Sequence, residues 1–561
     1  MRLWSGEDSV FAASFGSVKP AEAIADYRQS EAGFPTRLEG DWSVAIWDSR
    51  LRELTCARDA LGNLPFCYSL QGEELHFARR VRDLLRFPSI SRDIDEGVVA
   101  RYLAGSGPGV DETLFRDIRV LPGGHRLAFD ANGGLRVQRW WKPTPDVLRL
   151  KSDAEYESEY RRLLTESIQR RLPSGRMGCH LSGGLDSSAV SVLAHRTAGE
   201  RGAGPVSTFS QGKAGAPWDE SSYIAEIGRL AGLDSRIFPP GDDLDYTVQA
   251  AAYFLDFPSY PNGGIAELEM VRAARELGIG VMLTGMGGNQ ALERGAAHME
   301  EWGAKFQWGK AIREIQTARR GYGMPPARLE PLWRLAIRPN LVRLLPQGLR
   351  RAPNLGAASE ALARRCHLAD RLAPDHAEPF GSIQQMRQFN TLIGAREAQP
   401  RNVIGWEGTG YGVDLVHPFH DRRLVEFCLR LPLDQLWRDG MWKSIHRRAM
   451  KGLLPESVLN RRVQAEFSDH YRRLLAKPFA RERLRNLRMM RETDWLDPKR
   501  TAKIIEDADA LVASGGWGRP IRLAWNIFAL DLWFDAVQSG KWTDVHPMDY
   551  ILSKPRGAAT I

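Results

Sequence analysis

The chain has few cysteines and no long run of apolar residues. Its five cysteines are far apart, and no two have the spacing of a zinc-binding or redox pair. They are Cys56, Cys67, Cys179, Cys366 and Cys428. No window approaches the ~18 apolar residues of a membrane helix, and the opening MRLWSGEDSVF has two acidic residues and no long apolar run. These absences argue against a disulfide scaffold, a secretory signal and membrane insertion, and they predict a protein of the reducing cytoplasm.

The chain has only a small excess of basic over acidic side chains. The chain carries 77 basic and 69 acidic side chains, for a formal net charge of +8. Scattered, solvated arginines account for this excess, so nucleic acid is not an expected partner. The length of 561 residues exceeds the ~100–200 residues of a typical domain and predicts at least two domains.

A third absence concerns phosphate binding, because the lysine-bearing P-loop, GxxxxGK followed by Ser or Thr, does not occur. A different loop, HLSGGLDSSAV, stands between a short apolar run and a helical pattern. Gly183 and Gly184 allow positive φ and let backbone N–H groups face an anion. Ser187 or Ser188 can cap a helix whose N-terminus carries partial positive charge. Asp186 supplies a carboxylate, which Mg²⁺ prefers, so the loop predicts a site for a nucleotide's phosphates rather than a plain turn.

Short strand-like segments fill part of the N-terminal region. LEGDWSVAIWD, ELTCARD, PFCYSL and ELHFARR, within residues 38–81, are rich in aromatic and β-branched residues and are separated by turn signals, which predicts a β-meander. The segment WWKPTPD, from Trp140 to Asp146, interrupts the pattern. We place a domain boundary there, with one domain over residues 1–146 and a second over residues 147–561.

The second domain alternates strands with helices. A helical pattern at 154–172 is followed by strand-like GCHLSGG, VSTFS, SRIF and VMLTG, with helical patterns between them. Such alternation predicts a parallel, doubly wound α/β sheet, which binds ligands beyond the carboxyl ends of its strands. Both SGGLDSS and LTGMGGN fall at such ends. From about residue 295 the pattern is mostly helical and rich in arginine, which predicts a helical C-terminal extension.

The loop SGGLDSS resembles the pyrophosphate loop of the N-type ATP pyrophosphatases, and its surroundings resemble the asparagine synthetase superfamily. The similar segments are LEGDWSVAIWDSRLRELTCARDALGNLPFCYS, WDESSYIAEIGRLAGL, HPFHDRRLVEFCLRLP and GMWKSIHRRAMKGLLPESVLNRR. Together they extend over roughly residues 36–475. The resemblance implies a glutaminase-like β-sandwich domain of the N-terminal-nucleophile type. It also implies a synthetase domain of the ATP-pyrophosphatase fold, which uses ATP and Mg²⁺ to make an acyl-adenylate.

The cysteine that the glutamine-hydrolysing members use as nucleophile is the first residue of their mature chain. Here Met1 precedes Arg2, and the first cysteine, Cys56, lies inside a predicted strand. The resemblance therefore implies that this domain lacks the catalytic cysteine and releases no ammonia. The start also looks short beside the family's, which leaves open a lost strand and a misplaced start codon. Superfamily members without the cysteine include β-lactam synthetases and lasso-peptide cyclases, in which an amine is the nucleophile.

Three features favour the lasso-peptide cyclases among these. LTGMGGNQ has Met286 where asparagine and β-lactam synthetases carry Glu or Tyr, and Asn289 where they carry a Mg²⁺-binding Asp. The segment DFPSYPNGGIAELEMVRAA, from Asp256 to Ala274, is similar to the P-x-x-N approach to the following helix in some bacterial cyclases. Gln464 stands where other synthetases hold a transition-state lysine. The resemblance thus implies ATP-dependent closure of a macrolactam between an Asp or Glu side chain and the N-terminal amine of a precursor peptide.

The resemblance also assigns site residues. The expected catalytic residues are Asp186, Ser182 and Lys443, with Asp186 as the main Mg²⁺ ligand and Asn289 as a weaker, neutral second ligand. The residues expected at the phosphates are Ser182, Gly183, Gly184, Ser187 and Ser188, and those expected at adenine and ribose are Leu181, Gln211, Thr284 and Gly285.

Several residues keep two interpretations. Lys443 and Arg447, at i, i+4 spacing, meet either phosphate or solvent. Glu220 either helps binding or is a favourable helix-dipole partner. His417 and His420 are isolated histidines and are not expected to bind a metal. The paired tryptophans of WWKPTPD are expected to pack against the domain interface.

A lasso-peptide cyclase would have three partners: a precursor peptide, a leader peptidase and a leader-recognition protein. Two rival functions remain open at this stage. One is another amide-forming member of the superfamily, such as an asparagine or β-lactam synthetase. The other is a catalytically silent peptide-binding scaffold, which the residue types at 286, 289 and 464 keep open.

Overall fold

Antiparallel sheets form the N-terminal part of the computed structural model, and a parallel sheet forms the centre of the part that follows. The structure describes residues 2–5, 10–202, 204, 206–212, 215–216, 218–239, 256–258, 264–292, 297–322, 330–344, 354–372, 380–394, 397–398, 400–405, 412–462 and 468–540. The strands of the N-terminal part are β1 (Arg2–Ser5), β2 (Val10–Gly16), β3 (Trp42–Asp48), β4 (Glu53–Arg58), β5 (Cys67–Gln71), β6 (Glu74–Ala78), β7 (Arg119–Val120), β8 (His125–Asp130) and β9 (Leu135–Arg139). Its helices are α1 (Pro20–Gln29), α2 (Val81–Leu84) and α3 (Glu96–Leu103).

Two antiparallel sheets share these strands. The larger has the order β1-β2-β3-β4-β8-β9, and the smaller has the order β6-β5-β7. Apolar side chains from both sheets, among them Ala45, Tyr68 and Leu127, form one buried cluster. Side chains of β2 and β3 form a second cluster with α1. Strand β3 is therefore buried on both faces, which explains why its sequence does not alternate between apolar and polar residues.

The predicted meander over residues 38–81 is wrong in its connectivity. All four strands are present, but they form two hairpins in different sheets, because β4 pairs with β8 and β5 pairs with β7. The connection after Arg58 is a buried turn in which the Asp59 carboxylate accepts hydrogen bonds from the N–H groups of Leu61, Gly62 and Asn63. This turn carries the chain from one sheet to the other and is longer than a hairpin turn.

The two cysteines of this part lie in its interior. Cys56 and Cys67 are both fully buried, and burial raises the pKa of each thiol. Neither is a reactive thiol, and Cys56 lies inside strand β4, which confirms the predicted strand.

The second part is built on a five-stranded parallel sheet of order β12-β11-β10-β13-β14. Its strands are β10 (Gly178–His180), β11 (Ser207–Gln211), β12 (Ser235–Phe238), β13 (Val281–Leu283) and β14 (Asp414–Val416). A two-stranded ribbon follows, made of β15 (Trp437–Arg438) and β16 (Met441–Trp442). The parallel α/β sheet confirms the predicted fold class. Strand β14 and the ribbon are exceptions within the mostly helical region predicted after residue 295, since three- and two-residue strands are too short to show a period in sequence.

Helices cover the sheet and form the C-terminal region. Around the sheet lie α4 (Asp153–Arg171), α5 (Leu185–Glu200), α6 (Ser221–Ala231), α7 (Gly264–Glu276) and α8 (Gly288–Ala291). Beyond them follow α9 (Ala297–Ala304), α10 (Trp308–Tyr322), α11 (Glu330–Leu332), a π-helical turn (Trp333–Ile337), α12 (Arg338–Leu344), α13 (Glu360–Arg365), α14 (Leu368–Arg371), α15 (Ile383–Ile393), a 3₁₀ turn (Pro418–His420), α16 (Arg422–Leu429), α17 (Leu433–Leu436), α18 (Ser444–Ala449), α19 (Glu456–Leu459), α20 (Ser468–Leu475), α21 (Pro478–Arg485), α22 (Arg488–Glu492), α23 (Pro498–Ser514) and α24 (Arg519–Ser539). Among the described residues, no helix is long and apolar enough to span a bilayer.

One large core joins the two ends of the chain. Helix α24 is buried along most of its length and shares a cluster with α3 of the N-terminal part. The rings of Phe115 and Trp533 meet edge-on at 5.4 Å, and the Asn526 amide donates to the Tyr102 carbonyl at 3.3 Å. The C-terminal helices therefore pack against the N-terminal part, not only against the parallel sheet.

A buried ion-pair network also joins the two parts. Arg171, at the end of α4, donates to Asp41 of the N-terminal part and to Asp421 beyond β14. Burial alone would lower the pKa of Arg171, but the two carboxylates outweigh it and raise that pKa. Trp141 packs against Phe389 and donates to Glu426 at 2.7 Å, so it lies at the interface as expected.

We expect Arg171→Met to destabilise the protein by about 3–5 kcal/mol, because it leaves two buried carboxylates without their shared partner. The first unfolding transition in urea, followed by tryptophan fluorescence, measures this loss. Arg162→Met on the same helix is the matched control, since Arg162 is 51% exposed and its ion pairs within the described part of the chain are with its helical neighbours Glu159 and Glu166. It should cost no more than about 0.5 kcal/mol, and equal losses in the two variants would contradict the role given to Arg171.

Candidate functional site

Two loops meet where the order of the parallel strands reverses direction. From β10 the chain adds β11 and β12 on one side, then returns to add β13 and β14 on the other. The loops after β10 and β13, residues 181–184 and 284–287, leave neighbouring strands at their carboxyl ends. A crevice at such a switch point is where open α/β sheets bind their ligands.

The first loop has the shape of an anion cradle. Gly183 has φ +69°, and a side chain there would meet Glu220 and Tyr223 at about 3 Å. Gly184 follows in an extended conformation and begins α5. The backbone N–H groups of this turn thus precede a helix N-terminus, where partial positive charge favours phosphate.

Serine hydroxyls complete the loop. The Ser182 N–H donates to the Ser187 oxygen at 3.0 Å, and the two hydroxyls are 2.6 Å apart. The Gly184 N–H reaches the Ser182 oxygen at 3.3 Å. The Ser188 hydroxyl is fully buried and has no hydrogen-bond partner among the described residues. The structure therefore brings together all five residues expected at the phosphates, Ser182, Gly183, Gly184, Ser187 and Ser188.

A buried ion pair stands beside this loop. The Lys443 ammonium, whose side chain is 0% exposed, donates to Asp186 Oδ2. Lys443 adopts a left-handed backbone, φ +57°, and its ammonium lies 4.8 Å from the centre of the Trp442 ring. Of the two earlier interpretations of Lys443, an exposed basic face is therefore excluded. The side chain points into the site and not to solvent.

His446 is a site residue that the sequence interpretation missed. Its Nε2 lies 3.6 Å from Asp186 Oδ1, and its Nδ1 shares a hydrogen bond of 2.8 Å with the Tyr160 hydroxyl. Burial lowers the pKa of His446 to about 4, so the ring is neutral near pH 7. His446 could have been found from its position in the sequence, because it lies three residues after Lys443 and therefore one helical turn away from it.

The structure offers one carboxylate oxygen to a metal ion. Asp186 Oδ1 is buried and makes no hydrogen bond among the described residues. Asn289 lies in the short helix α8, next to Gly288, whose Cα stands against the Asp186 carboxylate. No cluster of three or more His, Cys, Asp or Glu side chains that could hold a metal occurs in the described ranges. A single carboxylate fits Mg²⁺ that arrives with a nucleotide, because the phosphates and waters supply the other ligands.

The second loop packs directly on the first. A side chain at Gly285 would lie 2.4 Å from the Ser187 nitrogen, so this position requires glycine. The Thr284 hydroxyl is 2.7 Å from His417 Nδ1 and accepts from the Met286 N–H at 3.2 Å. Burial and nearby Arg171 and Arg401 lower the pKa of His417 to about 3, so this ring is also neutral. The histidine orients the loop through this contact.

Leu181 and Gln211, the other residues expected at adenine and ribose, lie at the carboxyl ends of neighbouring strands. The Leu181 side chain is fully buried in the core, its N–H donates to Phe209 at 2.9 Å, and its carbonyl accepts from Ser210 at 2.5 Å. Only one carbonyl lone pair of Leu181 remains for a ligand. Gln211 ends β11 at the same edge of the sheet and is half-buried.

An arginine that the sequence interpretation did not single out closes the loop on its other side. The Arg461 guanidinium pairs with buried Glu220, lies 3.4 Å from the Gly183 carbonyl, and stacks 4.4 Å from the centre of the Tyr223 ring. Arg447 donates to the Arg461 carbonyl at 3.0 Å, besides two other carbonyls. The expectation that Arg447 meets phosphate or solvent is wrong, because it is buried and holds backbone. Arg461 joins Lys443 as a second cation near the loop.

Two of the sequence features cannot be placed. Gln464 and residues 259–263 of the segment similar to P-x-x-N lie outside the described residues. A cavity of about 400 Å³ lies between α23 and α24, but none of its lining residues belongs to the two loops.

Comparison with known proteins agrees with this geometry. The family model of asparagine synthase matches residues 159–535, and that of a glutamine amidotransferase domain matches residues 19–141. Asparagine synthetase 3 (glutamine-hydrolyzing) of Bacillus subtilis is 24% identical over 77% of this chain and 68% of its own length. Asparagine synthetase 1 of the same organism is 20% identical over 91% of this chain and 79% of its own length.

The matched segments contain both loops and the Asp186–Lys443 pair. Members of this family are ATP-dependent ligases that form carbon–nitrogen bonds and release AMP. The chain belongs to the asparagine synthase family.

Proposed function

We propose that the protein is a lasso-peptide cyclase, which adenylates an Asp or Glu side chain of a precursor peptide and closes a macrolactam with the peptide's N-terminal amine. The observation that carries this proposal is the composition of the loop at residues 284–289, TGMGGN. It lies against Asp186 and supplies neither a carboxylate nor a phenol. A nucleophile that must first lose a proton to a strong base is therefore not favoured at this site. A peptide α-amine has an unperturbed pKa of about 7.7–8.0 and is partly neutral near pH 7, so it can attack the acyl-adenylate without such a base.

The N-terminal part supports the same choice. Its thiols at Cys56 and Cys67 are fully buried and their pKa values are raised, so among the described residues no thiol is placed to hydrolyse glutamine. An amine within the substrate removes the need for an ammonia supply. The relatives named asparagine synthetase favour the rival proposal, a synthetase that uses free aspartate and ammonia.

The proposed reaction has two balanced steps. A carboxylate oxygen of the peptide attacks the α-phosphorus of ATP, the α–β phosphoanhydride bond breaks, and pyrophosphate leaves. The N-terminal amine then attacks the acyl carbon of the mixed anhydride, the bond to AMP breaks, and the amine loses one proton as the amide forms. Activation is required because a carboxylate is a poor electrophile.

The site residues take the following roles. The backbone of the loop at 182–184 and the hydroxyls of Ser187 and Ser188 hold the β and γ phosphates. Lys443 neutralises charge on the pyrophosphate. Mg²⁺, when bound, supplies further neutralisation of phosphate charge, with Asp186 as its protein ligand and Asn289 as a neutral second. Thr284, Gly285, Leu181 and Gln211 line adenine and ribose.

Positioning is the protein's other contribution. The amine must be held about 3–3.5 Å from the acyl carbon, since correct orientation supplies much of the rate enhancement of an intramolecular reaction. A precursor peptide is thus the proposed substrate, and a leader peptidase with a leader-recognition protein are the proposed partners. Neighbouring reading frames that encode them would support the proposal.

The substrate class is tested with ATP and a linear core peptide carrying a free amine and one internal acidic residue. We expect pyrophosphate, AMP and a product lighter by one water, detected by mass spectrometry. The matched control is the same peptide with an acetylated N-terminus, which should release pyrophosphate at most once per enzyme and form no ring. AMP formation with free aspartate and ammonia, and none with peptide, would instead identify an asparagine synthetase.

We expect Asp186→Asn to lower the rate of pyrophosphate release by about 10²–10³-fold, because one charged group at the reacting phosphates is lost. Steady-state release at saturating ATP and varied Mg²⁺ measures this. Asp234→Asn is the control, since Asp234 is an exposed carboxylate of the same domain and should leave the rate unchanged. Full activity in Asp186→Asn would refute its role, and complete inactivity of the unsubstituted protein with every substrate would favour a scaffold.

Gly288→Ala tests the contact between the two loops. The added methyl would lie 2.4 Å from Asp186 Cγ, so the carboxylate must move, and a shift of about 1 Å in such a site costs about 10²-fold in rate. Gly280→Ala, just before β13, is the control because no atom lies within 4 Å of the new methyl. Equal rates in the two variants would show that Asp186 need not occupy its observed position.

A further inference from the structure

The cavity of about 400 Å³ at the C-terminal helices has no part in the proposed reaction. Three elements line it: the segment before α13, the first turns of α23 and the first turns of α24. The lining residues are Asn354, Gly356, Lys499, Arg500, Lys503, Ile504, Arg519, Pro520 and Leu523. Pockets of about 300–1,000 Å³ are the usual size for ligand binding.

Apolar side chains form one wall of this cavity. Ile504, Pro520 and Leu523 line it and carry no hydrogen-bonding group in their side chains. Leu523 is only 5% exposed and belongs to the large core that also contains α3. The wall is therefore part of the folded core and is present before any ligand arrives.

The charged side chains at the cavity are all basic. Four of its described lining residues carry a positive charge, and none carries a negative one. Arg500 pairs with Glu360 at 2.8 Å, and Lys503 pairs with Asp507 at 2.8 Å. Carboxylates outside the cavity thus balance two of the four cations.

Lys499 and Arg519 are the other two cations. Both are exposed, and neither makes an ion pair with a carboxylate of the described ranges. One nitrogen of Arg519 donates to the Ala104 carbonyl at 3.0 Å, which is a neutral partner. Burial and the neighbouring Arg522 lower the pKa of Arg519, and no described carboxylate offsets them. Two positive charges that solvent can reach therefore stand beside the apolar wall.

The combination of wall and charges selects a class of ligand. An inorganic anion would pair with the cations but leave the apolar wall in water, and a purely apolar ligand would do the reverse. Lys499 lies at the start of α23 and Arg519 at the start of α24, so the two cations belong to different elements. Two carboxylates on separate residues suit them better than the single carboxylate of a small acid.

We propose that this cavity binds an acidic segment of a peptide. An apolar side chain of the segment packs against Ile504, Pro520 and Leu523, and two flanking carboxylates pair with Lys499 and Arg519. Recognition of acidic motifs by basic clusters is a recurring mode of peptide binding. The site uses no residue assigned to the proposed reaction, so its occupancy does not depend on which amide the enzyme forms.

The test uses the full-length protein and a short fluorescein-labelled peptide of sequence Glu-Phe-Asp-Leu-Glu. Fluorescence anisotropy in low-salt buffer measures binding, which we expect to saturate. Replacing the acids with Gln and Asn should weaken it about tenfold, because two exposed ion pairs are lost. Replacing Phe and Leu with Ser should weaken it by a similar factor, because less apolar surface is buried. Equal binding of the acidic and amide peptides would overturn the proposal.

Decanoate distinguishes a peptide from a small amphiphilic acid. It has one carboxylate and an apolar chain, so we expect it to displace the labelled peptide only at a much higher concentration than the unlabelled peptide does. Displacement by decanoate at the lower concentration would show that the cavity takes a small acid and would overturn the peptide assignment.

Variants localise the binding. Lys499→Gln and Arg519→Gln should each weaken it about 2–5-fold, as expected for an exposed ion pair. Arg116→Gln is the matched control, since it removes the charge of a 59% exposed arginine elsewhere and should leave binding unchanged. Equal losses in the three variants would show general charge attraction and overturn the proposal. If Arg519→Gln does not fold, Lys499→Gln alone makes the comparison.

One further variant tests the apolar wall. Ile504→Trp fills the cavity while all four cations stay, and it should abolish binding. The midpoint of thermal unfolding is measured in parallel to show that this variant is folded. Binding that survives Ile504→Trp would place the peptide elsewhere and overturn the proposal.

Discussion

The contact between the Asp186 carboxylate and the second strand-end loop is the constraint on which the site depends. Gly285 and Gly288 bring the backbone of this loop against residues 186 and 187. A Cβ atom at Gly285 would lie 2.4 Å from the Ser187 nitrogen, and one at Gly288 would lie 2.4 Å from Asp186 Cγ. The approach brings the N-terminus of α5, the loop after β13 and Lys443 to one point of the crevice. A carboxylate, an ammonium and a helix N-terminus so placed form a charge arrangement suited to a triphosphate.

Residues of the N-terminal part contact the segment 417–421, which in turn contacts the second loop of the crevice. The Asn63 amide donates to the His420 carbonyl at 3.2 Å, and Asp41 shares Arg171 with Asp421. These contacts fix the segment 417–421, in which His417 holds Thr284. A glutaminase-like domain without an accessible thiol among its described residues therefore still serves the synthetase site. It does so through a chain of four contacts.

Much of the site was predictable because its chemistry is local. The SGGLDSS loop joins a strand to a helix within a few residues, so glycine, serine and aspartate at fixed spacing identify it. The parallel sheet followed from the alternation of elements. His446 and Arg461 were not found, since each acquires its role only through residues that are far apart in sequence, such as Tyr160 and Glu220. The pairing of the N-terminal hairpins was also not predictable. Strand β4 pairs with β8 and β5 pairs with β7, and the buried turn at Asp59 that separates the two hairpins has no clear sequence signal.

The core shared by α3 and α24 has a consequence for biosynthesis. Tyr102 and Asn526, which are bonded in that core, are separated by 424 residues. At a synthesis rate of about 5–20 residues per second, the apolar face of α3 waits on the order of 20–85 s for its partner to be made. During that time the N-terminal sheets are complete but one surface of their neighbouring helix is uncovered. Translation of α24, and not of the first domain alone, thus completes the apolar cover of α3.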